Sequence, residues 1–120
     1  MAVTVVIVDD HAGFRRMARR MLEAAGFDVV GEAGDGESAL AAVAILRPEM
    51  VLLDIQLPDR DGFAVARRLA EARTDAVVIL TSSRSASDYG SRLAHSSASG
   101  FIPKGELSGP ALVRLLGAGR

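Results

Sequence analysis

Five short apolar runs divide the chain, and between them apolar residues recur at the three- and four-residue spacing of helices. Val3 to Val8, Met50 to Leu53 and Ala76 to Leu80 show almost no polar alternation, which suits strands covered on both faces of a parallel sheet. Phe27 to Ala33 is less apolar and is expected at a sheet edge, and Ser99 to Pro103 makes a short fifth strand. A helix is predicted from about Ala12 to Ala25, with Phe14, Met17, Ala18, Met21, Leu22 and Ala25 on one face and Gly26 as its stop. Arg15, Arg16, Arg19 and Arg20 lie off that stripe and read as a solvated face. Asp35 can cap a second helix over 36–46, packed through Ala39, Leu40, Val43 and Ala44 and ended before Pro48.

A third helix is expected from Phe63 to Glu71, after the Asp61-Gly62 turn. The segment from Ser85 to Ser97 holds five serines and Gly90, with little apolar periodicity beyond Tyr89, Leu93 and Ala94, so a loosely held helix is predicted there. The last helix begins with Ser108 as cap and Gly109 and Pro110 in its first turn, with Leu107 stapled onto Leu112. Gly117 to Arg120 reads as the start of a linker. Strand and helix alternate five times, and right-handed crossovers then place helices on both faces of one sheet. The expected fold class is α/β, a flavodoxin-like (βα)5 three-layer sandwich whose parallel five-stranded sheet has the order 2-1-3-4-5.

Composition narrows the chemistry. At 120 residues the chain supports one core, and with 4% aromatic residues that core is built from Val, Leu, Ala and Ile. A net charge of −1 gives no sign of nucleic-acid or membrane contact, and the lack of cysteine excludes disulfides and thiolate metal sites. No apolar run approaches a membrane span and no charged leader opens the chain, so a cytoplasmic location is expected. Of the 14 basic residues only Lys104 is a lysine, which marks it as a position where a compact ammonium matters.

The acidic residues carry the functional signal. The first strand ends on Asp9-Asp10 and the third on Asp54, and the 2-1-3-4-5 order places these two strands side by side at its switch point. Carboxylates about 4 Å apart repel by roughly 4 kcal/mol at an effective dielectric near 20. A hard divalent cation such as Mg²⁺ relieves that repulsion, and a spare carboxylate beside it can take a phosphoryl group as an acyl phosphate.

Val8-Asp9-Asp10, Leu53-Asp54 with Pro58 and Asp61-Gly62, Leu80-Thr81-Ser82 and Phe101-Ile102-Pro103-Lys104, each at a strand end, resemble the motifs of the receiver domain of two-component response regulators. The Phe101-to-Gly105 stretch followed by Glu106-Leu107-Ser108 is similar to the NarL/FixJ subgroup. The resemblance implies a receiver over residues 1–120 with no effector domain in this chain, and Asp54 as phosphoacceptor. It implies Mg²⁺, with Mn²⁺ as a substitute, ligated directly by Asp10, through water by Asp9, and by Asp54 and the Gln56 backbone carbonyl. Thr81 and Lys104 would hold phosphoryl oxygens, and Phe101 stands at the aromatic switch position.

The implied partners are a sensor histidine kinase or histidine phosphotransfer protein, an output domain or downstream protein that controls transcription, and a homodimer formed on phosphorylation. No separate enzymatic turnover is implied. His11 sits beside the pocket, where the family uses no fixed residue, and is expected to be solvent-exposed. Two alternatives remain from the residues themselves. A haloacid-dehalogenase-type phosphatase also uses a strand-end Asp with Mg²⁺, although Gln56 stands where it needs a second carboxylate; a phosphate-independent pseudo-receiver would not need the full acidic set.

Overall fold

The computed structural model describes residues 2–118; Gly117 and Ala118, expected in a linker, are helical, and positions 119 and 120 lie outside the described residues. Five parallel strands, β1 (Thr4–Val8), β2 (Asp28–Ala33), β3 (Met50–Asp54), β4 (Val77–Ser82) and β5 (Gly100–Pro103), form one sheet in the order β2-β1-β3-β4-β5. The helices are α1 (Ala12–Ala24), α2 (Gly36–Leu46), α3 (Gly62–Glu71), the single turns α4 (Ala86–Tyr89) and α5 (Ser91–Ala94), and α6 (Gly109–Ala118). This is the expected flavodoxin-like sandwich.

Alternate strand residues feed two cores. Val6, Val8, Val51, Leu53, Val78 and Leu80 pack with Ala39 and Val43 of α2 and with Val65, Ala66 and Leu69 of α3. Val5, Ile7, Met50, Leu52 and Ile79 face the other way, onto Ala18 and Leu22 of α1 and Leu112 and Leu116 of α6. The central strands therefore have no wet face, which explains their unbroken apolar runs. Each such Val, Leu or Ile contributes roughly 1.5–3 kcal/mol by leaving water.

Local chemistry sets the ends. Asp35 caps α2 by accepting from the Ser38 amide, and Asp61 caps α3 by accepting from the Ala64 amide. Asp59 adds a second clamp on α2, accepting from the Gly36 and Glu37 amides at 2.8 and 3.0 Å, and so ties the loop after β3 to that helix. Gly62 is required by packing: a Cβ there would lie 2.5 Å from the Asp54 carbonyl oxygen.

Several expectations need correction. The segment 85–97 is two single turns broken at Gly90, whose φ of +56° and ψ of −133° cannot continue a helix, and neither turn contains a buried residue. Met17 is 48% exposed, and Ala25 and Ala44 are exposed, because each lies at the margin of the stripe predicted to face the core. The arginines of α1 do not form one solvated face. Arg16 and Arg20 are exposed, but Arg15 and Arg19 bond Glu32 of β2 at 3.0 and 2.8 Å. Burial works against ionising Glu32, and the hydrogen bonds from Arg19 and Arg15 outweigh it, holding the carboxyl below its usual range. β4 starts at Val77 and not at Ala76, and it takes in Thr81 and Ser82, the residues on which the strand is expected to end.

Candidate functional site at the carboxyl edge of the sheet

The C-terminal ends of β1, β3, β4 and β5 gather the residues singled out above. Asp9 is fully buried. Its Oδ1 accepts from the His11 amide at 2.8 Å, and its Oδ2 accepts from Lys104 Nζ at 2.6 Å. Asp10, the next residue, is more open, with 36% of its side chain exposed. Asp54 is 2% exposed; its Oδ1 accepts from the Gln56 amide at 3.2 Å, and its Oδ2 lies 3.6 Å from Lys104 Nζ. Lys104 thus stands between two carboxylates, with its ammonium 4.2 Å from the centre of the Phe14 ring.

Single carboxylate oxygens of Asp9, Asp10 and Asp54, together with a His11 nitrogen, lie within 4.8 Å of one another. The crowding is visible in Asp54. Burial, and then repulsion from Asp9, push its carboxyl up from 3.8 to about 6, against the pull of Lys104 and the Gln56 amide. An anionic group in such a place calls for positive charge beyond one shared lysine.

Thr81 sits opposite Asp54 in the β3–β4 register and is fully buried. Among the described residues its Oγ1 has no hydrogen-bond partner, which is rare for a buried hydroxyl. Gln56 is the second residue of the loop after β3, is exposed, and pairs with Asp61 in an isolated bridge. Phe101 on β5 is half-buried and meets Tyr89 edge-on, with ring centres 6.1 Å apart.

Three features had little or no sequence signal. Tyr89, visible beforehand only as one apolar position, packs between Phe63 and Phe101 and bonds its hydroxyl to the buried Ser82 Oγ. Arg92 reaches from α5 to Asp61 Oδ2 at 2.7 Å and lies over the Phe63 ring. His11 is exposed as expected, along 73% of its side chain, and in addition its Nδ1 sits 3.0 Å from Asp10 and 3.2 Å from Asp9. A concavity of about 620 Å³, lined in part by Arg47, Glu49, Arg73 and Asp75, lies at the opposite end of the sheet, away from the carboxylates.

The sequence model of the response regulator receiver domain matches residues 5–114. The chain is 33% identical over 104 residues to the response regulator GacA of Pseudomonas aeruginosa, covering 86% of this chain and 49% of that protein. It is 38% identical over 77 residues to the transcriptional regulatory protein PdtaR of Mycobacterium tuberculosis, covering 64% and 38% respectively. The chain therefore spans half or less of these curated relatives. The signal receiver domain of the response regulator NarL from Mycobacterium tuberculosis superposes with a TM-score of 0.87 at 30% identity, covering 97% of both chains. Among the described residues no helix is long and apolar enough to cross a membrane.

Proposed function

Because the chain belongs to the response regulator receiver family, we propose that Asp54 takes a phosphoryl group from a phosphohistidine on a sensor kinase or phosphotransfer protein. A carboxylate oxygen of Asp54 attacks phosphorus, the nitrogen–phosphorus bond breaks, and the histidine of the donor departs with that electron pair. The product is an acyl phosphate on this chain, and no turnover of a free substrate is involved.

The observation that carries this reading is the pairing of Asp54 with the orphaned Thr81 hydroxyl across β3 and β4. A phosphoryl oxygen would give Thr81 Oγ1 the acceptor it lacks. Lys104, 3.6 Å from Asp54, supplies a compact ammonium for a second oxygen. The donor set also fits Mg²⁺, a hard cation that binds carboxylate and carbonyl oxygens. Asp10, Asp54 and the Gln56 carbonyl are the ligands we assign directly, and Asp9, bound to Lys104, acts at one remove. When bound, Mg²⁺ supplies positive charge that offsets the carboxylates and the roughly two charges of a phosphate. Mn²⁺ can replace it.

The output follows from the same geometry. Drawing Thr81 toward a phosphoryl oxygen changes the packing behind it, where Phe101 and Tyr89 meet. The two turns α4 and α5 bury no residue, so they form the surface that reports the change, together with β5 and α6. We assign residues 1–120 to one receiver domain whose readout is a partner or a further domain, with transcription as the output, in keeping with the relatives. Incubation with acetyl phosphate and Mg²⁺ tests the acceptor: mass mapping should find the phosphoryl group on Asp54, and an Asp54→Asn variant that still takes it would refute the assignment.

A further inference from the structure

Between Glu37 and Arg47 helix α2 carries no charged residue, and Ser38 is its only uncharged polar side chain there. A helix that is apolar on every side belongs in an interior. Only one side of α2 is covered. Ala39 and Val43 are buried against the sheet, while Ala41, Ala44 and Ile45 stand in the open. Ile45, at 79%, is the most exposed large apolar side chain among the described residues. Beside it lies the concavity of about 620 Å³ between the C-terminal ends of α2 and α3, with Val43, Ala44, Pro48, Ala72 and Val77 as its apolar lining. A protruding aliphatic side chain and a hollow able to receive one are therefore neighbours on a single surface.

The charges around the hollow decide what can cover it. Its rim holds Arg47 and Arg73 together with Glu49 and Asp75, so the signs balance. Glu49 accepts from the Thr4 amide at 3.3 Å, but among the described residues the side chains of Arg47, Arg73 and Asp75 have no ion-pair partner. A strongly acidic or strongly basic partner would meet as much repulsion as attraction there. A second copy of the same patch meets no such conflict, because a two-fold axis sets each sign against a rim that also offers its opposite. We propose that the α2–α3 end of the sheet is an interface between two copies of this chain, in which Ile45 of each copy enters the hollow of the other and the rim charges pair across the axis. The hollow lies at the far end of the sheet from Asp54, so this contact leaves the acidic pocket open and does not depend on a phosphoryl group. It stands apart from the phosphoacceptor reading, and either can fail alone.

Sedimentation velocity on the full chain, in EDTA and without a phosphodonor, provides the test. Between about 5 and about 500 µM the wild type should pass reversibly from monomer to dimer. Ile45→Glu should raise the Kd by about tenfold or more, because it carries a charge into an apolar hollow. Arg47→Glu combined with Arg73→Glu leaves a rim of one sign and should do the same. Ile45 is exposed in the single chain, so dilute Ile45→Glu should melt at the wild-type temperature, which separates lost contact from lost fold. Met17→Glu, which alters an exposed apolar position on α1 instead, should leave the Kd within about twofold. A wild type that stays monomeric throughout would leave this face to a different occupant and overturn the inference. Association that ignores Ile45→Glu, that is lost in Met17→Glu, or that appears only after treatment with acetyl phosphate would overturn it as well.

Discussion

Replacing Asp54 by Asn should make the domain more stable in the absence of metal, even though it removes the central functional group. The native carboxyl titrates at about 6, against an ordinary value of 3.8. A carboxyl that holds its proton more tightly when folded costs native stability once it is ionised. Below about pH 4 the cost is absent; it grows as pH rises from 3.8 to about 6 and is constant above. A rise from 3.8 to about 6 corresponds to a few kcal/mol, roughly 2–3, at neutral pH. Asp54 is 2% exposed, so solvent screening takes little from this figure. Urea melts in EDTA at pH 7.5 and pH 4 provide the assay. Asp54→Asn should exceed wild type by about 2–3 kcal/mol at the higher pH and by nearly nothing at the lower. Saturating Mg²⁺ should narrow the gap by stabilising wild type selectively. An Asn variant that is less stable at pH 7.5, or a gap that does not change with pH, would refute the claim that Asp54 is held under charge repulsion and burial.

Other substitutions probe the surrounding groups. Thr81→Val removes a buried hydroxyl without a partner, and should raise stability by about 1 kcal/mol in the same melts while abolishing any change in partner affinity on phosphorylation. Lys104→Ala leaves Asp9 buried without its ammonium; allowing for the one-fifth exposure of the lysine side chain, it should cost about 2 kcal/mol at neutral pH. Tyr89→Phe keeps the ring contacts and loses the bond to Ser82, so it should cost about 1 kcal/mol and speed amide exchange over 83–99 while leaving β1 and β3 protected.

Much of this site could be read from the chain because its parts sit at strand ends. A strand buried on both faces must present its next residue at the sheet edge, so Met50 to Leu53 fixes where Asp54 emerges, and the strand order makes Asp9 its neighbour. Thr81 was identifiable by position, but its lack of a partner depends on the β3–β4 register and on the packing around it. The pairing of Arg15 and Arg19 with Glu32 was invisible because it depends on how α1 lies across β2, and periodicity within a helix carries no such information. Low helical propensity marked the segment around Gly90 as weak; that it breaks into two turns follows from the single left-handed residue at its middle. The turn of His11 toward the carboxylates also had no local signal, since His at a helix start is equally able to point into water.

Calorimetric titration of Mg²⁺ into the wild type and into Asp10→Asn and Asp54→Asn gives the most direct test of the central claim, that carboxylates from two strands share one ion beside the phosphoacceptor. One ion per chain should bind the wild type, and each substitution should weaken or abolish that uptake. Binding that survives both substitutions unchanged, or no uptake by the wild type, would contradict the account.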